Sequence, residues 1–167
     1  PTRRSSDLAA AGNYNTSYPY YPASYDEVIS VSAVGPTMER ASYSNYGDFI
    51  DFAAPGGDSK VGGQAGTIIS TGYTLAGGNG YTYLSGTSMA CPHVTGLVAL
   101  LMGEGYIGRD LNGEEIIKKI IRQTTLDLGD PGWDEYYGYG LIQAADALSI
   151  VEEKRPFVAQ ALSIGGT

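Results

Sequence analysis

The stretch that decides the fold lies at residues 86–101 and reads GTSMACPHVTGLVALL. From Ser88 to about Met102 the sequence is apolar on almost every side, and it is long enough for about four helical turns. Gly103 follows in a position typical of a helix end. A surface helix would carry one polar face, so this pattern predicts a helix that is buried in the middle of the structure.

The segments before this helix predict strands. Val28–Val34 (VISVSAV) is apolar with small serines and has no helical period, which favours a strand buried on both faces. The stretches 49–54 (FIDFAA) and 67–71 (TIIST) have the same pattern, and 81–84 is a shorter candidate. Loops rich in Gly, Ser and Asn separate these stretches.

Two more helices are predicted after the buried one, at about 113–123 and 141–151. Asn112 is placed to cap the first of them. One face of that helix is apolar and is formed by Ile116, Ile117, Ile120 and Ile121. Strands of the buried parallel type, followed by helices, indicate an α/β layer structure.

Composition limits the classes of function. The chain has 167 residues, 43% of them apolar, which suits one domain with a substantial core. Acidic residues outnumber basic ones by 18 to 10, so a nucleic acid or an anionic membrane surface is not expected as a partner. No stretch approaches the roughly 20 apolar residues of a membrane span. The single cysteine excludes an internal disulfide framework.

Both ends of the chain differ from the middle. Residues 1–8 (PTRRSSDL) back-translate into the end of a widely used sequencing-library adapter, so we treat them as an artefactual segment; a short basic arm is the alternative. We therefore expect the reading frame to begin inside a gene, with any export signal missing. Residues 151–167 are charged and broken by Pro156, which predicts a linker or the start of a truncated further domain.

Ser88 is the first candidate for chemistry. A residue in the first turn of a helix has an unpaired backbone N–H, and the helix dipole places partial positive charge there, which suits a developing oxyanion. A plain helix cap explains a serine at this position equally well.

Several separate motifs resemble one family. GTSMACPHV is similar to the nucleophile signature of the subtilisin-like serine proteases (peptidase family S8), and AAGN at 10–13 is similar to their oxyanion segment. The segments YPASY, VISVSAV, RASYSNYG, DFAAPG, TIISTG and the closing GYGLIQAADAL follow the family's order. The resemblance covers residues 9–150. It implies the C-terminal part of a catalytic domain with a three-layer α/β fold, a mainly parallel sheet and a buried central helix, incomplete at the N-terminus.

The resemblance also implies roles for particular residues. Ser88 would be the nucleophile, and the side-chain N–H of Asn13 would bind the oxyanion together with the Ser88 backbone N–H. In subtilisin, loss of the corresponding asparagine lowers turnover roughly a hundred- to a thousandfold. Tyr20 and the residues up to Ala23 would lie near the pocket for the substrate side chain that precedes the cleaved bond. The remaining implied substrate-binding residues are Gly12, Gly86 and Thr87.

His93, the only histidine, is the nearest candidate for a base. Five residues along a helix turn a side chain by about 500°, which leaves it about 140° from the starting face. We therefore expect His93 to point away from Ser88 and to take part in helix packing. The resemblance implies that the catalytic Asp and His precede residue 9, so the chain alone is predicted to lack a general base. Cys91 invites a thiol mechanism, but a small buried packing residue is favoured.

The resemblance implies a secreted serine endopeptidase that cleaves protein or peptide substrates and needs the upstream half of the same domain. No cofactor is required. Related enzymes often bind calcium through loop carboxylates, so a structural calcium ion is an expectation for the full-length protein. In this chain the acidic residues are by default solvated, and no ligand set is legible among them: Asp48, Asp51, Asp58, Asp127, Asp130 and Asp134.

Two other interpretations remain. A catalytically dead homologue could use the same scaffold to bind peptides, although the presence of both Ser88 and Asn13 favours the protease. An unrelated hydrolase with a nucleophile elbow requires Gly-x-Ser-x-Gly, and residues 86–90 lack the second glycine.

Overall fold

The computed structural model describes residues 7–74, 77–103 and 113–150. Its centre is a parallel sheet of three strands in the order β1-β2-β3, formed by Asp7–Ala10, Val28–Val34 and Phe52–Pro55. Helices cover the sheet, so the predicted α/β class is confirmed. Residues 151–167, predicted as a linker or a truncated domain, lie outside the described residues.

Strand β1 begins inside the segment that we set aside. Asp7 pairs with Val28, Leu8 pairs with Ile29, and the partly buried Leu8 packs against the core. A parallel ladder uses backbone groups that nearly every residue type supplies, so this pairing does not test the origin of residues 1–8. The adapter assignment stays a prediction.

Strand β2 has the bounds that the sequence predicts and is buried along almost its whole length. Ile29, Val31 and Ala33 belong to the same core cluster as the first long helix. Ser30 and Ser32 alternate with them and are also buried, on the other face of the sheet. Their side chains are small, but their buried hydroxyls have no hydrogen-bond partner among the described residues.

Strand β3 is shorter than the predicted stretch 49–54. A turn precedes it, in which the N–H of Ile50 donates to the carbonyl of Gly47 (3.2 Å), and the chain becomes extended only at Phe52. The Asp51 carboxylate accepts a hydrogen bond from the N–H of Ser30 (2.9 Å) and ties this turn to β2.

Strands β4 (Ile68–Thr74) and β5 (Gly78–Leu84) form an antiparallel hairpin after a short 3-10 helix at Gly63–Gly66. The prediction that 67–71 resembles the doubly buried strand β2 is wrong, because Ile69 is 53% exposed and lies opposite the exposed Tyr83. A short apolar run fixes extended structure but not the partner or the burial.

Helix α1 spans Thr87–Gly103. It packs on all three strands of the parallel sheet through Thr87, Ala90, Val94, Leu97, Val98 and Leu101. The predicted burial on every side is wrong within the described residues, since Pro92, His93 and Leu100 are exposed. An apolar pattern shows that a helix face lacks polar side chains but does not show what covers that face.

Helix α2 spans Gly113–Thr124, close to its predicted bounds. Ile117, Ile120 and Ile121 are buried as expected, whereas Ile116 is 40% exposed. The predicted cap, Asn112, lies outside the described residues. Helix α3 covers 144–150 and contributes Ala147 to the core. In the part of the chain that the structure describes, no helix is long and apolar enough to cross a membrane.

Candidate active site

Ser88 lies in the first turn of α1 with its side chain exposed. The carbonyl of Gly86 accepts the N–H groups of Met89 (2.9 Å) and Ala90 (3.2 Å), which starts the helix. The N–H of Ser88 belongs to the first turn, where a helix supplies no acceptor. Within the described ranges the Ser88 hydroxyl makes no hydrogen bond. Neither group is therefore engaged by another residue that the structure describes.

Asn13 lies in the loop that follows β1, and Thr87 fixes its side chain. The Asn13 Oδ1 atom accepts hydrogen bonds from the backbone N–H and the hydroxyl of Thr87, both at 2.9 Å. A backbone N–H can only donate, so the atom that faces it must be the oxygen of the amide. The Nδ2 group therefore lies at the opposite end, as a donor directed away from Thr87.

Gly86 borders both donors. A Cβ atom built on Gly86 would lie 3.5 Å from Asn13 Nδ2 and 3.7 Å from the Ser88 nitrogen. The absence of a side chain therefore leaves a small open volume beside two N–H donors. Such a volume can hold the oxygen of a tetrahedral intermediate, because that oxygen gains negative charge as the nucleophile attacks.

Thr87 is buried, and its side chain is bonded to other protein groups. Besides its bonds to Asn13, its hydroxyl accepts the N–H of Gly12 (3.1 Å). Thr87 thus joins α1 to the loop after β1, and the substrate contact expected for it stays a prediction. Nothing in the sequence pattern indicated this bond between residues 75 positions apart.

Gly12 and Tyr20, two of the residues predicted to bind substrate, lie close together, and their role in a pocket stays a prediction. A Cβ on Gly12 would lie 3.7 Å from Tyr20 Cγ. Sequence reasoning missed Tyr14, whose ring stacks on that of Tyr20 with centroids 5.2 Å apart and planes at 21°. The stacked pair forms an exposed aromatic surface beside the residue that precedes Asn13.

His93 is exposed, so the prediction that it takes part in helix packing is wrong for this chain. Its Nδ1 lies 2.8 Å from the carbonyl oxygen of Met89, a contact that requires the proton on Nδ1 because a carbonyl only accepts. His93 and Ser88 line the same surface depression of about 310 Å³, but no hydrogen bond joins them within the described residues. Ser88 therefore has no base in this arrangement.

Cys91 is half-buried and packs against the core. Burial raises the pKa of its thiol, and a hydrogen bond with the Thr95 side chain only partly opposes this effect. A raised pKa keeps the thiol protonated at neutral pH, and the thiol is a poor nucleophile in that form. The arrangement agrees with a packing residue rather than with thiol chemistry.

Four of the six carboxylates considered as calcium ligands accept hydrogen bonds from backbone N–H groups: Asp51, Asp58, Asp127 and Asp134. Asp58 accepts the N–H groups of Ser42 (2.7 Å) and Lys60 (2.9 Å), and Asp134 Oδ1 accepts those of Tyr136 and Tyr137. Across 7–74, 77–103 and 113–150, no three or more His, Cys, Asp or Glu side chains are grouped to hold a metal ion. The described side chains do not fit a carboxylate-based calcium site.

The sequence of this chain is similar to those of known peptidases. Residues 5–140 match the sequence model of the subtilase family, Peptidase_S8. The thermophilic serine proteinase of Bacillus sp. (strain AK1) is 42% identical over 142 residues, which cover 85% of this chain and 30% of that protein. The minor extracellular protease of Bacillus subtilis (strain 168) is 35% identical over 137 residues, or 81% of this chain and 19% of that protein.

The fold is also similar to that of a solved protease structure. A lanthipeptide protease superimposes with a TM-score of 0.75 at 28% sequence identity, covering 86% of this chain and 51% of that structure. The chain spans 30% or less of the length of the two curated relatives named above, and about half of this structure.

Proposed function

This chain belongs to the subtilase family of peptidases, and from that premise we propose that its parent protein is a secreted serine endopeptidase that hydrolyses peptide bonds in proteins. The observation that carries the proposal is that the Ser88 N–H and Asn13 Nδ2 both lie beside the small open volume at Gly86, while the Ser88 side chain is exposed. The hydroxyl can act as the nucleophile and the two N–H groups can bind the oxyanion, so that acyl transfer to the serine would further require only a base.

In the proposed reaction, Ser88 Oγ attacks the carbonyl carbon of the scissile bond while its proton passes to a histidine base. The carbonyl oxygen becomes an oxyanion beside Gly86 and accepts hydrogen bonds from the Ser88 N–H and from Asn13 Nδ2. The base then protonates the leaving amine, and an ester on Ser88 remains. Water hydrolyses this ester by the reverse proton transfers.

We propose that the upstream half of the same domain supplies the base and its aspartate. Two features support this. Leu100 and Pro92 expose apolar surface on helix α1, which contains no Asp, Glu, Lys or Arg. Strand β1 lies at the edge of the described sheet, where its outer backbone groups remain available for a further strand. An upstream half that covered both would bury apolar surface and extend the sheet.

The proposed secretion and the proposed substrates rest on the relatives and on the composition of the chain. One of the relatives carries the name of an extracellular protease, and the single cysteine requires no reducing compartment. Protein or peptide substrates are expected, and nucleic acids are not, given the net charge of −8. The chemistry needs no cofactor, and a structural calcium ion is proposed only for the full-length protein.

The test is covalent labelling with a serine-directed peptide phosphonate. We expect the full-length protein to be labelled at Ser88, and neither its Ser88→Ala variant nor the 167-residue chain to be labelled, because the variant lacks the nucleophile and the chain lacks the base. Mass spectrometry of a digest locates the label. A full-length protein that binds peptide but takes no label would instead be a catalytically dead scaffold, and labelling of the short chain at a similar rate would refute the requirement for an upstream base.

A further inference from the structure

Asn45 is fully buried, and every polar group of its side chain is bonded to the loop that carries Asn13. We call residues 11–16 the donor loop. The Asn45 Nδ2 group donates to the carbonyl of Ala11 (3.0 Å), and its Oδ1 atom accepts the N–H of Tyr14 (2.8 Å) and, more weakly, that of Thr16 (3.4 Å). The bonds lie on both sides of Asn13, so one side chain fixes the backbone before and after it.

The backbone of Asn45 adds a further bond, from its N–H to the carbonyl of Gly12 (2.9 Å). The contact with Gly12 is close: a Cβ on Gly12 would lie 2.4 Å from Asn45 Nδ2. Gly12 also has φ +109°, a conformation that residues with a Cβ atom rarely adopt. The donor loop therefore lies directly against the Asn45 amide, with no room for a side chain between them.

Asn45 is itself held by the core. We call residues 40–46 the anchor segment. In it the N–H of Ala41 donates to the carbonyl of Ala33 (2.8 Å), and the Ser44 hydroxyl accepts the N–H of Ala33 (3.0 Å), so the segment is fastened to strand β2. The anchor segment thus connects the central strand of the sheet to the donor loop.

A second residue of the anchor segment reaches the same loop. The Arg40 guanidinium donates to Asn15 Oδ1 (3.0 Å), and it lies 5.0 Å from the ring centroids of both Tyr46 and Tyr136. Asn15 has a positive φ in the left-handed region, so its backbone conformation also needs support from its surroundings. The aromatic rings limit the movement of the guanidinium.

We propose that Asn45 is a positioning residue for catalysis, which acts by holding Asn13 Nδ2 at the place where the oxyanion forms. The inference rests on the function proposed above. Thr87 determines which end of the Asn13 amide faces the open volume, whereas Asn45 determines where the backbone of that residue lies. Only a side chain with a donor and an acceptor at the same reach can bond both Ala11 and Tyr14, which is the property of an asparagine amide.

The first measurement is the steady-state kinetics of Asn45→Ala in the full-length protein, with a chromogenic peptide amide as substrate and the concentration of active sites titrated by the phosphonate. We expect kcat to fall about ten- to a hundredfold, since a displacement of about 1 Å at a catalytic group has effects of this size. We expect KM to change less than about threefold, because the oxyanion forms only in the transition state.

The Asn45→Asp variant separates positioning from folding. Its carboxylate can still accept the N–H groups of Tyr14 and Thr16 but cannot donate to Ala11, so a loss of kcat in the same direction is expected. If Asn45→Ala yields too few titratable sites, this variant decides the question. An unchanged kcat per titrated site in the variants that fold would overturn the proposal.

A double-mutant cycle shows whether Asn45 acts through Asn13. In an Asn13→Ala background, adding Asn45→Ala should lower kcat by less than about threefold, because the donor that it positions is already gone. Full additivity of the two effects would refute the proposal. The matched control is Thr125→Ala, a partly buried residue whose hydroxyl donates to the carbonyl of Tyr139 (2.6 Å) and, among the described residues, bonds neither to the anchor segment nor to the donor loop. We expect this control to lower the thermal unfolding midpoint. It should leave kcat per titrated site unchanged, both in the native protein and in the Asn13→Ala background.

Phosphonate labelling and the kinetics together distinguish failure of the proposed function from failure of the role proposed for Asn45. If the unmodified full-length protein takes no phosphonate label and cleaves no peptide, the proposed function fails and the role of Asn45 fails with it. If it is labelled and active while Asn45→Ala and Asn45→Asp match it in kcat, only the role of Asn45 fails.

Discussion

Two neighbouring loops meet where Gly12 lies against Tyr20, and they are held in different ways. The donor loop (11–16) is bonded to distant parts of the chain, through Asn45, Arg40 and Thr87. The loop at 18–25, which we call the tyrosine loop, is held mainly by bonds within itself. Its Ser24 hydroxyl accepts the N–H of Tyr20 and donates to the carbonyl of the same residue (2.8 and 3.1 Å).

The tyrosine loop also exposes large side chains. Tyr18, Tyr21 and Tyr25 are 77%, 63% and 54% exposed. Exposed rings add little to the stability of the fold, since they bury little apolar area. The comparison therefore separates two kinds of support: the loop that carries the proposed oxyanion donor is fixed from outside by the core, whereas the exposed tyrosine loop is built locally. Three substitutions in the full-length protein test this separation.

The largest effect is expected for Gly12→Ala, in the donor loop. The new Cβ would lie 2.4 Å from Asn45 Nδ2, at a φ of +109°. Backbone strain and overpacking together should lower the free energy of unfolding by about 2–5 kcal/mol and slow the labelling of Ser88. Denaturant unfolding and the phosphonate reaction measure the two effects.

Gly132→Ala is the matched control for Gly12→Ala. Gly132 also has a positive φ, +90°, but no atom lies within 4 Å of its hypothetical Cβ. Only the backbone strain applies there, about 1–2 kcal/mol, and the labelling rate should not change. Equal losses in the two variants would show that the contact with Asn45 adds nothing.

A smaller effect is expected for Asp58→Asn, which tests how the anchor segment is supported. Asp58 is buried, and burial acts to raise the pKa of its carboxyl, but hydrogen bonds from the N–H groups of Ser42 and Lys60 outweigh this and hold the pKa below the ordinary 3.8. At pH 7 the substitution should cost about 1–3 kcal/mol, because the charged acceptor is lost.

The pH dependence follows from the sign of that shift. A carboxylate with a lowered pKa contributes its full stabilisation above the unfolded-state pKa, and the contribution is lost as the pH falls through the folded-state value. The difference in free energy of unfolding between the native protein and Asp58→Asn should therefore shrink below about pH 3.8. A difference that stays constant from pH 7 to pH 3 would contradict the assignment. The control is Asp26→Asn, at an exposed carboxylate. It should change the free energy of unfolding at pH 7 by less than about 0.5 kcal/mol.

The smallest effect is expected for Tyr18→Ser, in the tyrosine loop. Its ring is 77% exposed. The free energy of unfolding should therefore change by less than about 0.5 kcal/mol. The comparison is Tyr43→Phe in the anchor segment, where the hydroxyl donates to the carbonyl of Gly56 (3.0 Å). Loss of that bond should cost about 1 kcal/mol. A larger loss for Tyr18→Ser than for Tyr43→Phe would reverse the proposed division between the two loops.

Sequence reasoning performed well where the information is local. The helix at 87–103 and the strand at 28–34 follow from apolar patterns within one segment, and the motifs around Ser88 and Asn13 led to the family that the comparison confirms. It was wrong about the burial of 67–71 and about the far side of α1. In both cases the pattern describes the segment itself, whereas burial depends on what lies against it.

By itself, then, the sequence determined which segments are helices and strands, the family, and the pair of residues expected to carry the chemistry. Only the tertiary structure decided that Thr87 orients Asn13, across 74 positions, and that Asn45 holds the donor loop, across 31 to 34. The physical reason is that secondary structure follows from the periodicity of neighbouring side chains, while a buried amide can satisfy its donor and its acceptor only with backbone groups that the fold brings to it.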